Sequence, residues 1–395
     1  MNMKKALLAV VVATACSMAV HSQEPSAKAH QLAQKHILVD THIDVPIRLV
    51  EGWEDVTKAT AKGDFDYPRA LAGGLNAPFM SIYIPARYEQ SGGGDQLANM
   101  MIDLTEAIVA RAPQKFTMAA SVDEVERAFA DGKIALAMGM ENGTPIAGDF
   151  AKLQHFYDRG IRYITLAHSE SNHIADSSYD LRRQWKGLSP FGKELVAEMN
   201  RLGMMVDISH VSDQAFYQAI EISKAPVIAS HSSLRKFTPG FERNMDDDML
   251  RALAKNGGVI QINFGSSFIN QTARDWYSKR DKVRDSAEGD AAKQAVEDYK
   301  ATNPFPFATL EDVLNHIDYV VKLIGIDHVG IGSDFDGVGD SLPENLKDVS
   351  YYPYLIQGLL DRGYKDEEIA QIMGGNTLRL WRQVEQIAEN LQKSS

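Results

Sequence analysis

Short apolar runs punctuate this chain at residues 38–44, 76–84, 133–140, 161–167, 204–209, 226–230, 259–263 and 328–332. Their length and their branched or aromatic content predict strands. Between them, apolar residues recur at three- and four-residue spacing, as in Leu97, Met100, Met101, Leu104 and Ile108, which predicts helices. Helices are expected at 26–35, 96–112, 121–130, 150–159, 191–202, 212–222, 246–255 and 310–323, with closing helices at 367–373 and 378–391. Ser121 with Glu124 reads as a capping box. Gly160, Gly203 and Gly325 supply the left-handed stops of three helices. Residues 51–74 read as a long loop, and 374–376 as a joint between the closing helices.

Strands that alternate with helices predict a parallel sheet. Eight such units in this length predict an α/β fold, a (β/α)8 TIM-type barrel with its functional groups at the C-terminal ends of the strands. A doubly wound open sheet is the alternative. Residues 270–303 break the rhythm. They are charged and helix-forming, and read either as an insertion over the barrel mouth or as a solvated excursion.

The strand ends carry the chemistry. The first run finishes in His42-Ile43-Asp44, and strand alternation sends His42 and Asp44 to one side before Pro46 stops the strand. Glu141 ends the third strand, His168 the fourth, His210 the fifth, His231 the sixth and Asp334 the eighth. Imidazole and carboxylate together suit zinc or a similar divalent ion. His42 and Asp44 with Glu141 make one three-ligand set, and His210 and His231 with Glu141 make another. A bridging Glu141 is the economical arrangement, with two zinc ions sharing it and a water. A salt-bridged strand-end acid and core histidines are the plainer alternatives.

His168 has no place in either set. It reads as a holder of developing negative charge, or as a histidine bonded to nearby backbone. Asp334 reads as a proton shuttle and its neighbour Asp336 as a helix cap. Arg243 reads as a clamp for a carboxylate, or as a surface arginine. The Gly330-Ile331-Gly332 stretch is not a dinucleotide fingerprint, because no helix opens after it.

Composition narrows the class. Hydrophobic residues make up 44% and charged residues 24%, ordinary for a globular enzyme. The net charge of −12 argues against a nucleic-acid partner. Residues 1–22 read as a signal peptide, with Lys4 and Lys5 before the apolar stretch 6–15, and 23–395 as a single barrel domain. Cys16 is the one cysteine, so cysteine zinc sites and internal disulfides are excluded. Val12-Ala13-Thr14-Ala15-Cys16 also resembles a bacterial lipoprotein box, with Cys16 as the lipid anchor. The expectation is a periplasmic protein, with outer-membrane attachment as the alternative.

Several of these stretches occur together in a known family. Asp40-Thr41-His42-Ile43-Asp44, Gly139-Met140-Glu141-Asn142-Gly143, Arg162-Tyr163-Ile164-Thr165-Leu166-Ala167-His168 and Gly187-Leu188-Ser189-Pro190-Phe191-Gly192 are four of them. Asp207-Ile208-Ser209-His210-Val211-Ser212, Ser230-His231-Ser232-Ser233, Arg243-Asn244 and Gly332-Ser333-Asp334-Phe335-Asp336-Gly337-Val338 complete the set. By these motifs the chain resembles the membrane (renal) dipeptidase family of the amidohydrolase superfamily, from about residue 32 to about 385. The resemblance implies a binuclear zinc barrel that hydrolyses dipeptides, including those with a C-terminal D-residue. It implies zinc ligands at His42, Asp44, Glu141, His210 and His231. It implies substrate contact and proton transfer at His168, Arg243 and Asp334. A homodimer is the expected assembly. The insertion at 270–303 is longer than in vertebrate members, and the tail 390–395 carries no lipid-anchor signal of their kind.

Two rivals remain open at this stage. One is another amidohydrolase acting on cyclic amides or β-lactams. The other is a zinc-dependent periplasmic binding protein without turnover.

Overall fold

In the computed structural model, residues 24–394 are described. The expected signal peptide and Cys16 lie outside them. Nine parallel strands form the centre: β1 (Leu38–Ile43), β2 (Leu75–Tyr83), β3 (Phe116–Met118), β4 (Ile134–Glu141), β5 (Ile161–Thr165), β6 (Met205–Asp207), β7 (Ile228–Ser232), β8 (Val259–Ile262) and β9 (Val329–Ile331). Eight follow one another round a barrel in the order β1-β2-β4-β5-β6-β7-β8-β9, and the three-residue β3 pairs only with β4. The open-sheet alternative is thereby excluded. The ring closes between β9 and β1 through one parallel bridge, Ile43 with Phe335. The Asp44 N–H donates to the Phe335 carbonyl (2.9 Å) and the Asp334 N–H to the His42 carbonyl (3.1 Å).

The helices begin where short polar side chains accept the first free N–H groups, which a helix cannot satisfy itself. Ser26, Ser121, Ser189, Ser212, Asp246 and Thr309 do this. At Ser121 the expected box is displaced by one residue. Ser121 Oγ accepts from the Glu124 N–H, but the Glu124 carboxylate reaches back to the N–H of Ala120.

Two expectations need correction. Residues 51–74 are not one long loop. Helices Val45–Glu51 and Tyr67–Gly73 enclose a shorter connection, and Asp66 caps the second helix by accepting the Arg69 N–H. The strand stops at Ile43, and Pro46 sits in the first turn of the helix that follows, where its missing N–H costs nothing. Asp44 is therefore not a strand residue but the residue before that helix. The joint expected at 374–376 is present: after a widened turn at Gln371–Gly375 the backbone leaves helical geometry at Gly374 (φ 178°, ψ −29°), and helix Asn376–Lys393 follows across that kink.

That last helix closes the floor of the barrel. Its Trp381 ring lies 5.2 Å from Phe79, which lies 5.6 Å from Tyr163. Together these three rings run from the floor toward the mouth through a fully buried interior. No helix among the described residues is long and apolar enough to cross a membrane.

Candidate metal centre

Glu141, at the end of β4, is 4% exposed and stands among four imidazoles. Its two oxygens face different partners. Oε2 is 3.4 Å from His42 Nε2, which in turn is 3.5 Å from Asp44 Oδ2. Oε1 is 3.1 Å from His210 Nε2 and 3.1 Å from His231 Nε2. His168 Nε2 also approaches Oε1, at 3.3 Å. The two sets read from the strand ends are thus brought together, one on each carboxylate oxygen. His168, left outside both sets by the sequence, lies beside the second.

The backbone reaches this arrangement at a cost. His210 (φ 68°) and Asp334 (φ 66°) are both left-handed, a region non-glycine residues seldom adopt. Glycine makes room for the rest. A methyl at Gly337 would sit 2.2 Å from Asp44 Oδ2 and 2.3 Å from Asp334 Oδ1. At Gly139 it would sit 1.9 Å from the Tyr163 ring.

Tyr163 and Asp207 serve the site in ways that sequence reasoning misses, although both stand inside the motifs quoted above. The Tyr163 hydroxyl reaches His42 Nδ1 (2.9 Å). Asp207, fully buried, accepts the N–H groups of Ser209 and Ser230 and the hydroxyls of Thr165 and Ser230. Ser230 Oγ, its proton given to Asp207, can only accept from His231 Nδ1, 2.8 Å away. That leaves the His231 Nε2 lone pair facing Glu141. Such outer contacts set the tautomer of a ligating histidine.

The electrostatics favour a cation. Burial opposes charge on His42, yet the Tyr163 hydroxyl and the Glu141 and Asp44 carboxylates hold its proton affinity well above the usual imidazole value. Burial, with the neighbouring cationic groups, holds His210 and His231 well below it. Glu141 is buried, which alone would raise its pKa, but His168 and His42 hold it well below the usual carboxylate range. His42 Nε2 and Asp44 Oδ1 are buried without a hydrogen-bond partner. Carboxylate and imidazole atoms of His42, Asp44 and Asp334 also lie within 4.8 Å of one another. Imidazole nitrogens and carboxylate oxygens at this density fit one or more divalent ions.

Asp334 is 8% exposed, and its Oδ2 accepts from Asn263 Nδ2 at 2.6 Å. Burial, aided by the Asp44 and Glu141 carboxylates, pushes its carboxyl up to about 7. Asp336 caps no helix. Its carboxylate accepts the Asp64 N–H, the Asp64 carboxylate accepts the Asp336 N–H, and Arg48 lies 3.2 Å away, tying the loop after β9 to the connection before residue 67. Arg243 is no surface residue: it is 3% exposed. Its Nη1 donates to Ser232 Oγ and its Nη2 to the His231 carbonyl, while Nε is buried without a partner.

A cleft of about 600 Å³ opens over the cluster, within the usual range for small-molecule sites. Tyr83, His168, Tyr179, Phe268, Tyr277 and Asp334 are among its walls. Tyr277 comes from the 270–303 segment, which folds as helices Gln271–Asp285 and Gly289–Thr302. The segment therefore covers part of the mouth and is not only a solvated excursion. A neighbouring cleft of about 500 Å³ holds His173, whose Nδ1 is 3.0 Å from Glu89. His173 lies in a loop, as its sequence suggests.

A profile of the membrane dipeptidase family (peptidase family M19) matches residues 26–395. An uncharacterized dipeptidase of Schizosaccharomyces pombe is 32% identical over 384 residues, spanning 93% of this chain and 85% of that protein. The crystal structure of the probable dipeptidase PvdM from Pseudomonas aeruginosa superposes with a TM-score of 0.80 at 29% identity, covering 91% of this chain and 98% of that one. A metallopeptidase from Rhodobacter sphaeroides, solved with a phosphinate mimic of the dipeptide L-Ala-D-Ala, superposes with a TM-score of 0.73 at 26% identity. The match covers 88% of this chain and 99% of that one.

Proposed function

The chain belongs to the membrane dipeptidase family, peptidase family M19, and from that premise we propose that it hydrolyses the peptide bond of dipeptides at a pair of zinc ions bridged by Glu141. The observation that carries the reading is the division of the Glu141 carboxylate, one oxygen toward His42 and the other toward His210 and His231. His42 and Asp44 would hold one ion, and His210 and His231 the other. Bound there, divalent ions make water nucleophilic near neutral pH and polarise a carbonyl.

The remaining work falls to the protein. His168, on the cleft wall, offers an imidazole to the oxygen that gains charge as the carbonyl is attacked. Asp334 faces the cleft beside the metal-binding cluster, where its carboxyl can take the proton from water and pass it to the leaving amine. Asn263 holds that carboxylate in place through Oδ2. The unpartnered Nε of Arg243 is a donor for the substrate carboxylate, and selects peptides with a free C-terminus close to the scissile bond. The Trp381 floor bars a longer chain from threading through the barrel. The Rhodobacter relative's L-Ala-D-Ala mimic supports acceptance of a C-terminal D-residue.

A hydrolysis screen over a dipeptide library, with zinc removed and restored, tests the proposal. Release of free amino acids that stops on chelation and returns with zinc is the expected result. Metal binding without turnover of any dipeptide would leave a binding protein instead. Export to the periplasm is part of the proposal and rests on the leader 1–22. Fractionation and the mass of a Cys16→Ser variant separate a soluble protein from one anchored through Cys16. A homodimer is likewise proposed, and light scattering in solution reads it.

A further inference from the structure

Among the described residues, Arg274, like Arg243, lacks the acidic partner that the other arginines around it have. It lies on helix Gln271–Asp285 of the insertion, one turn before Tyr277, so the two share a helix face. Tyr277 lines the cleft. The Arg274 guanidinium carbon sits 3.2 Å from the centre of the Phe241 ring. Phe241 in turn touches two residues of the cleft wall, Tyr179 and Phe268, each at a ring separation of 5.9 Å.

Nearby arginines have acidic partners. Arg280 pairs with Asp281, Arg284 with Asp281 and Asp285, Arg183 with Glu242 and Arg48 with Asp336. Among the described residues, no carboxylate lies within ion-pair distance of Arg274. The adjacent Asp275 is engaged by Gln271, at 2.7 Å. A guanidinium held over an aromatic ring makes no hydrogen bond to it, so its N–H groups stay available to a carboxylate. The Tyr179 hydroxyl lies within electrostatic range of both Arg274 and Arg243. Tyr179, a residue of the cleft wall, is thus the side chain that Arg274, seated on Phe241, and Arg243 have in common.

We propose that Arg274 forms a second anion subsite, which selects dipeptides whose C-terminal residue carries a side-chain carboxylate. Arg243 takes the α-carboxylate and Arg274 the side-chain carboxylate, with Tyr179 between them. The proposal rests on the dipeptidase reading above. It gives the insertion a role in specificity, and it gives a protein of net charge −12 a local means of attracting an acidic substrate.

The test compares Ala-Glu with its isosteric neutral partner Ala-Gln, with both stereoisomers at the second position, on the zinc-loaded full chain. In the wild type the ratio of kcat/KM values should favour Ala-Glu by about 10–100-fold, the worth of a charge-assisted hydrogen bond. Arg274→Met should collapse that ratio toward one, and Arg274→Lys should restore part of it. Glu-Ala, with the acid at the other position, should show no such ratio change. A ratio that survives in Arg274→Met, or two rates that fall together while the ratio stays fixed, overturns the subsite. So does a wild type that cleaves Ala-Gln as well as Ala-Glu. A wild type that cleaves no dipeptide overturns the dipeptidase reading itself.

Discussion

The Tyr163 hydroxyl crosses the barrel from β5 to within 2.9 Å of His42 Nδ1 and donates its own proton to the Thr41 carbonyl. With that proton spent, the hydroxyl oxygen can only accept, so Nδ1 of His42 carries the hydrogen. Nε2 is the nitrogen turned toward Asp44 and Glu141, and it is the one that a metal ion would take in place of a proton. One phenol thus decides which nitrogen of a ligand is available. Tyr163→Phe should keep the ring packing on Phe79 and lower metal affinity by about 10–100-fold. Zinc retained against a graded series of chelator concentrations measures it.

Glu141→Gln should weaken both metal positions together. A neutral amide cannot balance two dications, and only one of its two terminal atoms is an acceptor. Elemental analysis should find well under one zinc per chain. Full occupancy would show that Glu141 is no bridge.

Asp334→Asn keeps the shape and can still meet Asn263, but it removes the proton carrier. Turnover should fall by about 10²–10⁴ with zinc content near that of the wild type. Because Asp334 lies within 4.8 Å of His42 and Asp44 atoms, the metal measurement is the decisive one. Loss of zinc would make Asp334 a ligand.

Gly337→Ala should injure the site more than the fold. Its methyl would meet the Asp44 and Asp334 carboxylates, which are side-chain ends and can move aside. Their displacement should lower kcat by about 10²-fold, while the melting temperature shifts by no more than about 2–4 °C.

His316 predicts a loss of stability in acid that is separate from the metal. Its Nδ1 accepts from the Leu234 N–H, so its Nε2 donates to the Ile269 carbonyl, and the buried ring is neutral. Burial pushes its pKa down to about 4, below the ordinary value of 6.5. The stabilisation is complete above pH 6.5 and disappears as pH falls toward 4, with a total of about 3 kcal/mol. Urea midpoints at about pH 7.5 and 5, compared between wild type and His316→Asn, should show a steeper loss in the wild type.

Much of this was legible because a barrel strand alternates in a simple way and ends at the mouth. His42, Glu141, His210 and His231 each follow an apolar run, so their convergence could be read from the chain. Asp44 was legible as chemistry but not as structure. Its neighbour Pro46 is as compatible with a helix's first turn as with a strand's end, and only the fold decides. Tyr163 and Asp207 were hidden because their work lies on other strands, at Thr41, His42, Ser209 and Ser230. A buried tyrosine in an apolar run looks like core until its hydroxyl is located. The Arg274 shelf was equally hidden, since it needs Phe241 and Tyr179 from two other loops.

The seam between β9 and β1 has a consequence for how the enzyme comes into being. Asp334 donates through its backbone to His42, Asp44 to Phe335, and Ser333 to the Asp40 carboxylate, a contact spanning 293 positions. The barrel's first strand is thus seated by its last. Until β9 is in place, His42 and Asp44 lie on an unclasped edge and lack the loop that brings Asp334 against them.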